Sequence, residues 1–221
     1  MKKSVYPQGR PAMTDKSQGI DPLRYDLQII ASWIRPGSRV LGLGCGEGEV
    51  LYWLKTEKQV IERGIEIQES KVVKCIEKGI SVLQGDINKE ILDYPDQAFD
   101  YAICSQTLQQ VYDPATLIQS MLRVAKMGIV SFPNFGHFKV RTQLALTGCA
   151  PVTRELPYEW YNTPNIRVLS LRDFEHFARQ TGFRILKKAA INTKDQNRQG
   201  KQVHFLPNLF ATYGIFLIGK E

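Results

Sequence analysis

Between residues 38 and 133, five short apolar runs alternate with stretches of helical spacing. This rhythm constrains the chain more than any other feature. The runs read SRVLGL (38–43), RGIEI (63–67), ISVLQGD (80–86), FDYAICSQ (99–106) and GIVSFP (128–133). They are nearly continuous in apolar residues, as expected of strands buried on both faces. Between them, GEVLYWLKT, QESKVVKCIEKG and DPATLIQSMLRVAK place apolar residues three and four apart, the period of a helix with one buried face. Asp113 and Pro114 form a cap and first turn for the last of these, and Gly79 closes the second. Strand and helix in alternation predict a parallel sheet covered by helices on both sides. Upstream, Asp21-Pro22 opens a helix carrying Leu27, Ile30, Ala31 and Ile34, with Asp21 as its cap, and Pro36-Gly37 stops it.

After Pro133 the rhythm breaks. Residues 134–170 begin as a basic helix and continue as an aromatic, proline-containing loop. LRDFEHFARQTG (171–182) resumes as a helix with Gly182 beyond its end. FRILKKAAIN (183–192) is a strand, NTKDQNRQGKQ (192–202) a polar hairpin-like loop, and FATYGIFLIGK (210–220) a final strand. Two strands joined without a helix run antiparallel. The expected architecture is a three-layer α/β, Rossmann-like fold with a seven-stranded, mostly parallel sheet and one antiparallel strand. Residues 1–20 read as a flexible polar arm, and residues 21–221 as one domain with an insertion at about 134–170. There is no internal repeat and no low-complexity tract.

The glycine cluster in VLGLGCGEG, just after the first strand, narrows the ligand. A phosphate-binding loop would need lysine directly after the glycines, and none occurs before Lys55. A dinucleotide fingerprint started at Gly42 or Gly44 would put its third glycine at Glu47 or Glu49, so both registers fail. The pattern present is G-x-G-x-G, at Gly44, Gly46 and Gly48. Residues without Cβ let the backbone approach a ligand closely. Glu47 would oppose a pyrophosphate but tolerate a zwitterionic amino-acid group. Cys45 reads as a small filler, since no histidine base stands near it in sequence. Glu66 ends the second strand, where an acid can hold both ribose hydroxyls, and Asp86 ends the third, where it can accept from an adenine amino group. Taken together, these strand ends suit a ligand combining a nucleoside with an amino acid.

Composition bounds the partners. The 221 residues carry a net charge of +7, and 43% are hydrophobic. From Lys139 to Lys201 there are twelve Lys+Arg against five Asp+Glu, so that stretch holds the whole excess. A solvated face explains it, as does an anionic partner. No apolar run approaches the ~18 residues of a membrane span, so no membrane partner is expected. The N-terminal MKKSVYPQGR has no apolar segment behind its lysines, unlike a secretory leader. Four scattered cysteines and three histidines make no ligand cluster, so no metal is expected. These features fit reduced thiols in a cytoplasm.

VLGLGCGEG, Glu66, QGD and FDYAICSQTLQQVYDP together resemble the class I S-adenosylmethionine-dependent methyltransferases. Longer stretches, LRYDLQIIASWI, IVSFPNFGHFKVR and PVTRELPYEWYNTPNIRVLSLRDFE, are similar to the MetW family of methionine-biosynthesis proteins over most of residues 20–192. The resemblance implies a class I methyltransferase fold holding S-adenosylmethionine or S-adenosylhomocysteine. Its surroundings would be Gly42, Gly44, Cys45, Gly46, Gly48, Glu66, Ile67, Gly85, Asp86, Ile87, Ser105 and Gln106, with Leu108 and Gln109 at the mouth. Such methyltransferases usually carry an acid two residues before the first glycine of the motif. Here that position is Gly42, whose lost carboxylate would weaken cofactor binding by roughly ten- to a hundredfold. The resemblance also implies a role beside homoserine O-acyltransferase as an activating partner.

The substrate or partner surface expected from these residues comprises Asn134, Tyr158, Trp160, Tyr161, Asn162 and Asn165, with Arg141, Arg154 and Arg167 at its rim. Aromatic residues with polar tips concentrate at interfaces and pockets. His137 is the candidate base. The alternative is an active methyltransferase on a small molecule, because methyl transfer from a sulfonium needs positioning more than acid–base groups. An RNA methyltransferase using the basic stretch is a further alternative, disfavoured by the absence of a known RNA-binding appendage.

Overall fold

Every strand-like run of the sequence joins a single sheet. The computed structural model describes residues 23–194 and 199–220. In chain order these form α1 (Tyr25–Trp33), β1 (Arg39–Leu43), α2 (Glu49–Lys58), β2 (Ile61–Glu66), α3 (Glu69–Glu77), β3 (Val82–Gln84) and the one-turn α4 (Ile87–Glu90). Then follow β4 (Phe99–Ser105), α5 (Pro114–Val124), β5 (Ala125–Pro133), α6 (Phe138–Thr147) and α7 (Leu171–Thr181). The chain closes with β6 (Arg184–Lys194), β7 (Gln199–Gln202), the short α8 (Pro207–Phe210) and β8 (Tyr213–Gly219).

The sheet order is β3-β2-β1-β4-β5-β8-β6-β7. The first five strands in this order pair in parallel. β8 lies antiparallel between β5 and β6. The predicted arrangement therefore holds, with two differences: the sheet has eight strands rather than seven, and β7 as well as β8 is reversed. The extra strand comes from the segment read as a polar loop. Ile191–Lys194 pairs with Gln199–Gln202, giving backbone groups at the sheet edge their partners. The strand QGKQ has no apolar alternation, so periodicity could not signal it, and its glutamines and lysine suit an exposed edge.

Successive strand residues face opposite sides, and each side has its own core. Val40, Ile103, Ile129 and Ile215 pack against Ile30 of α1, Leu51 and Leu54 of α2 and Cys75 of α3. Leu41, Leu43, Val130 and Phe132 pack with Leu117 and Met121 of α5 and Phe174 of α7. Phe132 stacks on Phe216 at 5.6 Å, and Phe174 sits 4.7 Å from Phe216.

Local sequence explains most helix ends. The Asp113 carboxylate accepts from Thr116 N at 3.1 Å to start α5. Ser170 and Asp173 form a reciprocal capping box on α7, which ends at Gly182 in the left-handed region. The cap expected at Asp21, like the arm at 1–20, lies outside the described residues. α1 instead begins after Arg24, which provides no side-chain cap.

Candidate functional site

The carboxyl ends of β1, β2, β3 and β4 surround a cavity of about 550 Å³. Open α/β sheets bind ligands at this edge, where the strand order reverses on either side of the first strand. The glycine turn forms one wall. Gly44 and Gly46 take φ of +62° and +59°, a region that side chains with a Cβ occupy at a cost. At Gly44 a Cβ would also lie 2.7 Å from the Thr107 side chain. Gly44 N and Cys45 N both donate to the Ile65 carbonyl, at 2.9 and 3.2 Å, which ties the turn to the end of β2.

Glu66 braces this turn. It is almost fully buried, and its two carboxylate oxygens accept from Gly46 N at 2.9 Å and Gln68 N at 3.0 Å. Each is a charge-assisted bond to a backbone donor. Asp86 caps α4, accepting from Asn88 N at 2.9 Å, and also borders the cavity. Glu47 is engaged elsewhere: Lys74 pairs with it and holds its carboxyl below the usual carboxylate range.

All of the expected cofactor residues line the cavity except Gly48, which sits behind the turn as the left-handed residue preceding α2. Leu108 and Gln109, expected at the mouth, are buried beside it instead, and Thr107, Gln110 and Val111 stand there. Gly42 is crowded: a Cβ there would meet Leu51 Cδ1 at 3.0 Å and Cys45 Cβ at 3.1 Å. Burial, with the Cys75 thiol close by, pushes the Cys45 thiol well above its ordinary range, so it packs rather than attacks. Its Sγ lies 4.0 Å from that of Cys75.

Sequence reasoning missed Arg24. Its guanidinium borders the cavity and is held by Asp26, with Nε 3.2 Å from Oδ1 and Nη2 3.1 Å from Oδ2. Asp26 is buried and also accepts from Gln106 Nε2 at 2.9 Å. A cation just ahead of a helix opposes the helix dipole, and that mismatch was the available signal. The lining otherwise includes the acids Glu47, Glu49, Glu66 and Asp86, with Lys71 as its second cation.

Two expectations for residues 134–137 need correction. Asn134 does not face a substrate or partner. It is buried, with Nδ2 donating to the Asn208 and Ala211 carbonyls and Oδ1 accepting from Gly136 N. A residue so fully paired serves as a clamp between the end of β5 and the chain before β8. His137 does not enter the cavity either. It is buried at the start of α6, where Nδ1 accepts from Lys139 N at 3.2 Å. Burial lowers its pKa below the ordinary histidine value, which keeps the capping nitrogen unprotonated.

The aromatic segment is laid over the end of β4. Ile166 N and Arg167 N both donate to the Gln109 carbonyl at 3.0 Å, and Arg167 reaches the carbonyls of Val111 and Tyr112. Its side chains nonetheless turn outward. Trp160 is 74% exposed, Tyr161 69% and Val168 75%, with Tyr158 and Asn162 exposed and Asn165 half-buried. Trp160 and Tyr161 meet edge to face, 5.8 Å apart. Among the described residues no helix is long and apolar enough to cross a membrane, and no group of three or more His, Cys, Asp or Glu side chains could hold a metal ion.

A sheet with this strand order, a reversed strand beside β5 and a glycine turn after β1 defines the class of S-adenosylmethionine-dependent methyltransferase folds. Solved structures agree on the fold. A methyltransferase of Thermotoga maritima, described as a possible histamine N-methyltransferase, superposes with a TM-score of 0.65 at 21% identity, covering 89% of this chain and 87% of that one. A methyltransferase of Archaeoglobus fulgidus does so with a TM-score of 0.64 at 16% identity, covering 88% and 91%. Within that class the chain belongs to the family described as "Methionine biosynthesis protein MetW", whose profile matches residues 24–218. The bifunctional methionine biosynthesis protein MetXA/MetW of Rhodopirellula baltica is 33% identical over 162 residues, 68% of this chain and 26% of its own length. The ubiquinone biosynthesis O-methyltransferase of Hahella chejuensis is 31% identical over 150 residues, 64% of this chain and 62% of its own. The chain thus spans about a quarter of the first relative and under two thirds of the second.

Proposed function

We propose that this chain is an accessory protein of methionine biosynthesis. It holds S-adenosylmethionine or S-adenosylhomocysteine in the glycine-turn cavity and docks on homoserine O-acyltransferase through the aromatic segment, raising that enzyme's activity. The observation that carries the docking is the outward turn of Trp160, Tyr161 and Val168 on a segment whose backbone is pinned at Gln109. A fold that needed these residues for its own core would bury them. Large aromatic side chains left in water on an ordered segment are what interface anchors look like before association. The Rhodopirellula relative, whose name joins MetXA to MetW, supports a MetW chain working beside a second methionine-biosynthesis protein.

The cavity supports the cofactor. Its volume lies within the range of small-molecule sites, and its polar groups are held in place. Glu66 keeps a carboxylate at the end of β2, where ribose hydroxyls can donate to it, while its bonds to Gly46 and Gln68 fix its position. Arg24, oriented by Asp26, offers a cation to the carboxylate of the amino-acid part. Asp86 stands where an adenine amino group would reach it.

The second reading is an active methyltransferase on a small molecule, and the open mouth at Ser105, Gln106 and Thr107 favours it. The relatives named as O-methyltransferases lend it support. One experiment separates the two. Purified protein is titrated with S-adenosylhomocysteine by calorimetry, then mixed with purified homoserine O-acyltransferase while complex formation and acyl transfer are measured. Binding and a rise in acyl transfer are expected. No complex and no change in rate would sink the accessory reading and leave the methyltransferase reading standing.

A further inference from the structure

A second cavity, of about 480 Å³, lies between α7, β6 and the segment 202–209. It shares no lining residue with the glycine-turn cavity. Its floor is apolar, made by Leu171, Ala190, Val203 and Phe216. Three cations, Arg141, Arg172 and Lys188, border it against a single carboxylate, Glu175. That carboxylate is already taken, since Lys188 Nζ lies 2.8 Å from Glu175 Oε1. Arg141 Nε donates to the Gly136 carbonyl at 2.7 Å, which fixes the side chain but leaves its charge unanswered. Among the described residues no acid pairs with Arg141 or Arg172. The backbone donors at the start of α7 are not available either. Leu171 N goes to Asn134 Oδ1 and Arg172 N to Asn208 Oδ1. Recognition of an anion therefore falls to the two guanidinium groups, whose planar forks suit carboxylate, sulfonate or phosphate.

We propose that this cavity binds a small amphipathic anion. Its acidic group meets Arg141 and Arg172, and a compact apolar body rests on Leu171, Ala190, Val203 and Phe216. The volume suits a metabolite rather than a folded partner. Leu206, partly exposed, adds an apolar group to the cavity wall. Leu206 is held at φ +41°, an uncommon conformation outside glycine. The site is separate from the glycine-turn cavity, and Arg141, expected from the sequence at the rim of the partner surface, borders this second cavity.

The test uses the full chain and two matched probes. One is 8-anilinonaphthalene-1-sulfonate, which carries a sulfonate on an aromatic body. The other is N-phenyl-1-naphthylamine, which is nearly the same body without the charge. Fluorescence titration is expected to show one sulfonate site, tighter than the site for the neutral probe and weakened by added salt. Arg172→Ala and Arg141→Ala should each reduce sulfonate affinity about fivefold, since both guanidiniums lie at an exposed rim. Ala190→Leu should fill the floor and abolish binding of both probes. Asp86→Asn, which alters the first cavity but keeps a capping side chain, should leave the affinity unchanged. Should Arg141→Ala lower the melting temperature by breaking its bond to Gly136, Arg172→Ala decides the matter. Equal affinity for the two probes, indifference to Arg172→Ala, displacement of the sulfonate by S-adenosylhomocysteine, or no binding would each overturn the proposal.

Discussion

The glycine turn and the aromatic segment treat their functional groups in opposite ways. In the turn, the polar groups are answered from within: Glu66 takes two backbone donors, and Asp26 holds Arg24. These groups are held in position by the protein's own bonds, so little ordering has to occur on binding. In the aromatic segment only the backbone is answered. Ile166 and Arg167 are tied to Gln109, while Trp160, Tyr161 and Val168 face water. Under the proposed function, the contrast separates a cavity suited to a small ligand from a surface whose side chains await another molecule. It also predicts opposite coupling to stability: changes in the turn should damage fold and binding together, and changes on the segment should touch binding alone.

The largest effect expected is from Gly44→Ala. A left-handed residue would gain a Cβ 2.7 Å from Thr107, and the combined backbone and crowding penalty is about 2–4 kcal/mol. Calorimetry should find no binding of S-adenosylhomocysteine, with a clearly lower melting temperature. Glu66→Ala comes next. It leaves Gly46 N and Gln68 N without their charged acceptor, and ligand affinity should fall at least tenfold, with some loss of stability. A Glu66→Ala protein that keeps full affinity would mean the carboxylate only braces the turn. Trp160→Ala is the converse probe. Truncating an interface anchor commonly costs ~2 kcal/mol, so the acyltransferase complex should weaken about thirtyfold. The melting temperature should stay within about 1 °C, because 74% of the residue is already exposed. A large drop in melting temperature with no selective loss of the complex would erase the distinction between the two regions.

The smallest effect concerns pH. Burial holds His137 below its unfolded pKa, so above the ordinary histidine value it is uncharged in both states and costs no stability. As pH falls through the ordinary histidine value, the unfolded chain takes up a proton that the folded chain resists, and stability declines. Protonation also removes the Nδ1 acceptor that caps α6. Thermal melts from pH 7 to 5.5 should therefore decline more steeply for the natural protein than for His137→Asn, which caps without titrating. Parallel slopes would place the proton uptake elsewhere.

Of the fold, the part between β1 and β5 was legible because each signal is local. Continuous apolar runs mark strands buried on both faces, and a glycine turn needs only its own backbone to be recognised. Glu66 and Asp86 could be placed for the same reason: a residue that ends a strand lies at the carboxyl edge whatever its neighbours are. β7 was not legible, since a polar edge strand has no periodicity and exists only through pairing with Ile191–Lys194.

The sequence by itself determined the sheet's parallel half, the ligand edge and the turn that shapes it. The tertiary structure alone decided what several side chains do there. Asn134 looked like a surface group and is a clamp, because its partners Asn208 and Ala211 lie 74 and 77 residues further along the chain. Gln106 and Arg24 meet at Asp26 although Gln106 and Asp26 are 80 residues apart. The second cavity likewise draws on α6, α7, β6 and the chain before β8. Spacing along a chain reports which face of an element a residue occupies. Which partner a polar group meets on that face depends on elements brought together only when the sheet closes, and no local pattern carries that information.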